Sequence, residues 1–314
     1  MDAVTALLDG PRARGAFLLR SSMDPPWCLR VEDGAPLTLA AVVRGWAYVT
    51  VDGDPAGPRR LERGDVMLCR GPTPYVVADH PDTAPQVVIG PGQVCTSLDG
   101  SSVFGALEHS VRSWGNATDG STLLVTGTYE TVGHVSERML VALAPLDVVR
   151  RDEWENPVLD LLAAEVVRDA PGQSAILDRL LDVLCLTTVR ACLTRPGERI
   201  PPWYAAAADP VLGPALELMH NNPANRWTVA GLASNVGSSR AAFARRFTDV
   251  VGEPPLTYLT RWRLDLAADH LHDSRRSVAS VAVAVGYDNP FAFSNAFKRH
   301  TGLSPRDYRA QRAG

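Results

Sequence analysis

The feature that most constrains this 314-residue chain is an internal repeat near its C-terminal end. The segment 242–259 (AFARRFTDVVGEPPLTYL) matches the segment 292–309 (AFSNAFKRHTGLSPRDYR) at an offset of 50 residues. Six of the eighteen positions are identical, namely Ala242/Ala292, Phe243/Phe293, Phe247/Phe297, Gly252/Gly302, Pro255/Pro305 and Tyr258/Tyr308. Glycine, proline and aromatic positions in register indicate a duplicated structural unit. The chain therefore carries two copies of one local fold.

Each copy has the layout of a helix-turn-helix unit. A short helix ends at a glycine, which can adopt the left-handed conformation that stops a helix. A second helix begins at a capping residue, and phenylalanines at i and i+4 bury one of its faces, which leaves the other face for a DNA groove. The predicted parts are the short helices 229–236 and 278–285, the glycines Gly237 and Gly286, the caps Ser239 and Asn289, and a connector helix over 256–272.

The distribution of charge also points to a polyanionic partner. Residues 211–314 hold 13 Lys and Arg against 8 Asp and Glu, whereas residues 1–210 hold 18 against 27. A basic C-terminal third on an acidic body is typical of a chain whose end meets nucleic acid. The excess is modest, so the argument depends on the helix-turn-helix pattern.

Residues 1–145 show the pattern of a β-rich domain. Short alternating or β-branched runs are separated by Gly, Pro and Asp clusters, which is typical of a barrel or sandwich. The predicted strands lie within 41–51, 65–68, 75–78, 86–89 and 122–128. The pattern changes to helical spacing over 156–168 and 173–194, and four prolines within 195–210 indicate a linker.

The second of these helices carries an apolar stripe. Its members on one side are Leu177, Leu180, Leu181, Leu184 and Ala191. A stripe of this kind marks a packing surface. It either packs against the chain's own β domain or joins two copies in a homodimer, and the sequence leaves both open.

The C-terminal repeat resembles a known family. The stretches WTVAGLASNVGSSRAAFARRF, GEPPLTYLTRWRLDLAADHL and VASVAVAVGYDNPFAFSNAFKRHTGLSPRDYR are similar to the DNA-binding domain of the AraC/XylS family, over residues 210–312. Upstream, APQVV, PGQVCTSLDG and the Gly64-Asp65 turn are similar to the cupin-type effector domain of one branch of that family. The resemblance implies a transcription regulator that binds a double-stranded DNA operator, senses a small-molecule effector and contacts RNA polymerase if it is an activator.

Together these observations predict an α+β chain. It would comprise an N-terminal cupin-like β-barrel, a helical connector and an all-α domain with two helix-turn-helix units. The predicted boundaries are 1–145 for the sensor, 146–195 for the connector, 196–210 for the linker and 211–314 for the DNA-binding domain. Hydrophobic residues make up 46% of the chain, which is enough to build two separate cores.

The resemblance places the DNA contacts on the two recognition helices. Outward residues near the start of such a helix reach base edges, and neighbouring basic or hydroxyl groups hold phosphates. Arg245 is the main candidate of the first helix, because a guanidinium pairs bidentately with guanine. Asn295 stands where the family has arginine, so the second helix either prefers adenine or contributes mainly backbone contacts. The predicted set is Ser239, Arg240, Ala241, Ala244, Arg245, Asn289, Phe291, Ala292, Ser294, Asn295, Lys298 and Arg299.

The N-terminal domain does not carry the sequence signature of a metal enzyme. Metal-binding cupins use two or three histidines and a carboxylate, usually with a His-x-His strand. Residues 1–210 contain three widely spaced histidines, His80, His109 and His134. We therefore predict no metal, no cofactor and no enzymatic activity, and a cupin enzyme fused to a DNA-binding module is the less favoured alternative.

Two modes of sensing stay open. A pocket for a small molecule would be lined by aromatic side chains, and the candidates are Trp27, Trp46, Tyr48, Tyr75 and Trp114. A thiol switch would use Cys28 and Cys95, whose proline and glycine neighbours predict loops in which a thiol can react. Cys185 and Cys192 are seven residues apart on an apolar helix and are predicted to be buried.

The sequence also predicts a location. No run of eighteen apolar residues occurs, and the first fifteen residues hold no long apolar segment, which argues against a membrane span or an export signal. The five cysteines show no C-x-x-C spacing, which favours reduced thiols. We therefore predict a cytoplasmic protein with no membrane contact.

Overall fold

The structure, a computed structural model, describes residues 16–110, 112–129, 140–168, 170–195, 202–271 and 275–311. These residues form two compact units, one within 16–195 and one within 202–311. The first unit is built on β-sheets and the second is helical. His134 and the first fifteen residues of the predicted sensor lie outside the described residues. In the part of the chain that is described, no helix is both long and apolar enough to cross a bilayer.

The first unit contains two sheets. Its described strands are β1 (Ala16–Met23), β2 (Cys28–Val31), β3 (Leu37–Arg44), β4 (Trp46–Val51), β5 (Arg59–Glu62), β6 (Val66–Arg70), β7 (Tyr75–Ala78), β8 (Val87–Gly90), β9 (Val94–Ser97), β10 (Glu108–Ser110), β11 (Ser113–Trp114), β12 (Thr122–Tyr129) and β13 (Leu146–Val149). The seven-stranded sheet has the order β10-β11-β1-β12-β3-β6-β13, and the six-stranded sheet has the order β5-β4-β7-β2-β8-β9. A short helix, α1 (Phe104–Leu107), follows β9.

The hydrophobic core of the first unit lies between the two sheets. Strands β3 and β12 contribute Ala40 and Leu124 from one sheet, while β2 and β4 contribute Val31 and Val49 from the other. The alternation of side chains along a strand allows each sheet to turn one apolar face toward this core. The described strands thus form two separate sheets rather than one closed barrel, and the barrel prediction is not confirmed.

Two antiparallel helices cover the other face of the seven-stranded sheet. They are α2 (Pro157–Val166) and α3 (Gln173–Leu193). The Asn156 Nδ2 donates to Thr187 Oγ1 at 3.1 Å, which joins the start of α2 to the end of α3. Gly127 of β12 leaves room for Leu181, because a Cβ at Gly127 would lie 2.4 Å from the Leu181 Cδ2.

The apolar stripe predicted on α3 is partly confirmed. Leu177, Leu181 and Leu184 are buried, whereas Leu180 and Ala191 are only half-buried. The buried side continues instead through Cys185, Thr188, Val189, Cys192 and Leu193. This side packs against the chain's own sheet, which was one of the two alternatives that the sequence left open.

The second unit consists of helices. They are α4 (Pro202–Ala208), α5 (Leu212–Asn221), α6 (Val229–Asn235), α7 (Arg240–Val251), α8 (Pro255–Leu271), α9 (Val278–Ala284), α10 (Pro290–Thr301) and α11 (Pro305–Gln311). Part of the predicted linker 196–210 is therefore helical. Ala206 of α4 is fully buried in the core that α5 and α7 share, so this part of the linker belongs to the helical unit.

Candidate nucleic-acid interface

The first helix-turn-helix unit is formed by α6 and α7. The Thr228 side chain caps α6 by accepting the Gly231 N–H at 3.0 Å. Gly237 then adopts a φ of 65°, in the left-handed region that glycine reaches at little cost. The Ser239 hydroxyl caps α7 by accepting the Ala242 N–H at 3.2 Å. The glycine turn and the Ser239 cap that the sequence predicts are both confirmed.

The second unit, α9 and α10, has the same construction. The Ser277 side chain caps α9 by accepting the Ser280 N–H at 3.0 Å. Gly286 forms the turn with a φ of 85°. The Asn289 Oδ1 caps α10 by accepting the N–H of Phe291 at 2.8 Å and that of Ala292 at 3.4 Å.

Equivalent aromatic side chains form the two cores. In the first helix-turn-helix unit the ring centroids of Phe243 and Phe247 lie 5.8 Å apart, and the Phe247 ring meets the Tyr258 ring of α8 edge-on at 5.6 Å. In the second helix-turn-helix unit the ring centroids of Phe293 and Phe297 lie 5.6 Å apart, and the Phe297 ring meets the Tyr308 ring of α11 edge-on at 5.4 Å. Edge-to-face contacts of this kind stabilise aromatic clusters beyond their buried area. The repeat in the sequence is therefore a repeat of the core.

The exposed face of α7 carries cations that have no ion-pair partner within residues 202–271 and 275–311. These are Arg240 and Arg245, and both are exposed. Arg246 is different, because its guanidinium binds Asp209 with N–O distances of 2.7 and 3.0 Å. Asp209 in turn accepts the N–H groups of Val211 and Leu212. Arg246 thus holds the start of α5, while Arg240 and Arg245 stay available to a ligand.

The exposed face of α10 has another composition. Phe291, Asn295 and Lys298 follow one another at i, i+4 and i+7, so they share one face, and all three are exposed. Arg299 and Ala292 flank this line and are exposed too, whereas Ser294 is half-buried. On α7 the corresponding line is Ala241, Arg245 and Thr248, all exposed, and Ala244 is half-buried. The structure therefore brings the predicted DNA-contacting residues onto two outward faces, and their contact with DNA stays a prediction.

Helix α8 joins the two helix-turn-helix units. Arg263 on this helix holds the loop 223–225, which lies between α5 and α6. The Arg263 Nε donates to the Pro223 carbonyl at 2.6 Å and its Nη2 donates to the Asn225 carbonyl at 2.7 Å. The same loop packs on the turn of the second unit, because a Cβ at Gly286 would lie 2.9 Å from the Ala224 Cα. Sequence reasoning missed Arg263, since its partners lie about 40 residues away and no local pattern announces them.

The candidate effector residues of the β-sheet unit, residues 16–195, do not all lie in one place. Tyr75 and Trp114 line a cavity of about 50 Å³ between the two sheets. Trp27 is fully buried in the core but does not line this cavity. Trp46 is 40% exposed, donates its indole N–H to the Asp79 carbonyl and faces the Arg60 guanidinium at 6.0 Å. Tyr48 is half-buried and packs edge-on against the exposed His80. Trp27, Trp46 and Tyr48 therefore do not share the cavity of Tyr75 and Trp114, because Trp46 and Tyr48 turn outward and Trp27 fills the core; a role of these residues in ligand binding stays a prediction.

The cavity is mainly apolar and contains a few polar groups. Asp33 and Gln93 lie on one side, and the Gln93 side-chain amide donates to the Asp33 carboxylate at 2.9 Å. Ser21 and Thr128 lie on the other side and are almost fully buried. Burial also raises the pKa of the Tyr75 hydroxyl, which therefore stays protonated. No Lys, Arg or His is present among the residues that line the cavity.

The loop positions predicted for Cys28 and Cys95 are wrong. Cys28 lies in β2 and Cys95 in β9, and both are buried. Burial, with a smaller contribution from the charge of Asp79, raises the pKa of the Cys28 thiol to about 11, and burial raises that of Cys95. Because the thiolate is the reactive form, neither thiol has the environment of a redox switch. The predicted burial of Cys185 and Cys192 is confirmed.

Within the described ranges, no three His, Cys, Asp or Glu side chains lie close enough together to hold a metal ion. His80 and His109 are both exposed on the surface of the first unit.

Two family models match this chain. A cupin family matches residues 2–194, and a helix-turn-helix domain family matches residues 232–311. The first match covers more than half of the chain and includes α2 and α3 along with both sheets. The second covers α7 to α11, together with most of α6.

Several described relatives are similar to this chain over nearly its whole length. A protein of Streptomyces lividans described as an AraC-like transcription regulator is 33% identical over 90% of this chain and 90% of its own length. A protein of Streptomyces antibioticus with the same description is 32% identical over the same shares. The HTH-type transcriptional regulator AlkR of Acinetobacter baylyi is 29% identical over 99% of this chain and all of its own length.

Proposed function

Because the chain belongs to the AraC-like transcription regulators, with a cupin domain followed by a helix-turn-helix DNA-binding domain, we propose that it binds an operator through the exposed faces of α7 and α10. The observation that carries this proposal is the pair of outward faces held by one connector. Arg240 and Arg245 on α7, and Lys298 and Arg299 on α10, supply cations that phosphates and base edges attract.

The connector helix suits a pair of neighbouring groove segments. Successive major-groove segments on one side of a duplex lie about 34 Å apart. Helix α8 has 17 residues, which at 1.5 Å per residue span about 25 Å before the widths of the flanking helices are added. One copy of the chain would therefore cover two segments about one turn apart.

The experiment is a binding titration of the full-length chain on the DNA upstream of its own gene, in a salt series, against a random duplex. We expect specific binding that weakens with salt, and a loss of about 1–3 kcal/mol in the Arg245→Ala variant. Arg246→Ala is the matched control on the same helix, because that side chain binds Asp209 and should contribute little to base preference. Absence of affinity for any duplex at low salt would overturn the proposal.

The N-terminal domain would act as the sensor of a small molecule. The cavity between the sheets has polar groups on two sides within an apolar wall, which is the usual composition of a ligand site. Since no cationic side chain lines it while the Asp33 carboxylate does, the effector that fits is not an anion, and the flexible side chain of Met67 could make way for it. The proposal assigns no catalytic role to this domain, since the relatives are described as regulators. A neutral effector should raise the unfolding temperature where its carboxylate analogue does not; the reverse order would count against this assignment.

The outward side of α2 and α3 fits a homodimer. Leu161 of α2 is 58% exposed, and Ile176 and Val183 of α3 are 48% and 43% exposed. Exposed apolar side chains on two neighbouring helices are typical of a contact surface between proteins. Sedimentation of the chain and its Val183→Glu variant tests this, and a monomeric unsubstituted chain at micromolar concentration would refute it.

A further inference from the structure

One aromatic side chain of the helical unit stands out in the solvent. Phe291, in the first turn of α10, is 81% exposed, the largest fraction among the exposed large hydrophobic residues of the described chain. Its neighbours Phe293 and Phe297 are fully buried in the core. Phe291 therefore does not serve the core of the described helices, because most of its side chain lies in solvent.

The backbone beneath Phe291 is held firmly. The Asn289 side chain accepts its N–H at 2.8 Å, and Pro290 fixes the preceding backbone in a helical geometry. The phenyl ring stands in line with Asn295 and Lys298 on the same face. An apolar group, an amide and a cation thus lie on the same face of α10. A recognition helix contacts base edges with its N-terminal residues, so Phe291 is the first of the three to reach them.

The edges of bases in the major groove offer one apolar group, the 5-methyl of thymine. We infer that Phe291 is a specificity-determining residue that reads thymine by covering this methyl group in the second groove segment. The inference rests on the proposed operator binding by α10. The equivalent residue of α7, Ala241, presents a single methyl and reaches less far, so the apolar reading would belong mainly to the second unit.

The test removes the methyl group without changing base pairing. The full-length chain is used to select its best duplex from a random pool, and each thymine of that duplex is then replaced in turn by deoxyuracil. We expect about a fourfold loss of affinity at one or two thymines of the second segment, the value of one buried methyl group. In Phe291→Ala the selected duplex should bind more weakly, and the same replacements should have no further effect. Phe291→Leu, which keeps an apolar side chain, should retain part of the thymine preference.

Each other result overturns the inference. If Phe291→Ala suffers the same loss on deoxyuracil as the unsubstituted chain, another residue reads the methyl. If Phe291→Ala binds the duplex unchanged and instead alters the sedimentation of the chain, the phenyl ring covers a protein surface. If deoxyuracil has no effect anywhere while binding stays specific, operator binding holds and the apolar reading fails. If no duplex is selected at all, the proposed function fails as well, and this is a distinguishable outcome. Phe291 is exposed, so its variants should fold, and circular dichroism checks this.

Discussion

The two helix-turn-helix units share a core and differ in what they show to solvent. Phe243, Phe247 and Tyr258 in one unit have the same mutual distances, within a few tenths of an ångström, as Phe293, Phe297 and Tyr308 in the other. The outward lines differ at every position, with Ala, Arg and Thr on α7 against Phe, Asn and Lys on α10. The core positions must satisfy packing density, which tolerates few changes, whereas outward positions answer only to what they touch.

The glycine turns differ in a second way. Gly237 and Gly286 have the same role and both have a positive φ. A Cβ at Gly237 would meet no atom within 4 Å, while one at Gly286 would lie 2.9 and 3.0 Å from backbone atoms of Ala224. The turn at Gly237 is therefore open, whereas the turn at Gly286 packs against the loop that contains Ala224.

The largest effect should separate these two turns. Gly237→Ala should lower the free energy of unfolding by about 1–2 kcal/mol, the penalty of a left-handed backbone for alanine. Gly286→Ala adds a steric clash with the backbone of Ala224, which is fixed by its neighbours. We therefore expect the free energy of unfolding to fall by about 3 kcal/mol or more. Urea unfolding of both variants measures the difference, and equal losses would show that the Ala224 contact yields.

An exchange of side chains should test whether the two outward faces read different bases. Arg245→Asn should shift the preferred base of the first segment from guanine toward adenine, and Asn295→Arg should do the opposite in the second. Each good bidentate pair contributes about 1–3 kcal/mol of discrimination, which binding to a set of singly substituted duplexes resolves. If Asn295→Arg changes affinity equally for all duplexes, α10 contributes backbone contacts only, as the sequence also allowed.

The smallest effect concerns the cation that only the second face has at i+7. Lys298→Thr should reduce the slope of log K against log salt by about 0.9, the value for one phosphate contact. Thr248→Lys, at the equivalent position of α7, should raise the slope by a similar amount if both helices lie equally close to the backbone. Unchanged slopes in both variants would place these positions away from phosphate.

Local signals explain what could be predicted from the sequence. The caps Ser239 and Asn289, the glycine turns and the connector helix all depend on residues within a few positions of one another. The connector was predicted over 256–272 and is found over Pro255–Leu271, with residue 272 outside the described ranges.

The errors concern contacts between distant segments. The partition of the strands into two sheets depends on pairings such as β1 with β12, which are about a hundred residues apart in the chain. The prolines of the predicted linker hid α4, since proline in the first turn of a helix is as acceptable as in a linker. The neighbours of Cys28 indicate a loop, although Cys28 lies in β2, which pairs with β7 about 50 residues away. Cys95 lies in β9, which pairs with the preceding strand β8, and its proline and glycine neighbours belong to the short turn between the two.

The contacts of Arg263 and Gly286 with the loop 223–225 have a consequence for the operator. Two helix-turn-helix units in a fixed relative orientation cannot adjust to a change in the helical rotation of the duplex between their two binding segments. Each inserted base pair turns the second segment by about a tenth of a turn around the duplex axis. The protein should therefore respond to angular phase as well as to sequence, and an operator with the right bases but a shifted phase should be as poor a target as one with the wrong bases.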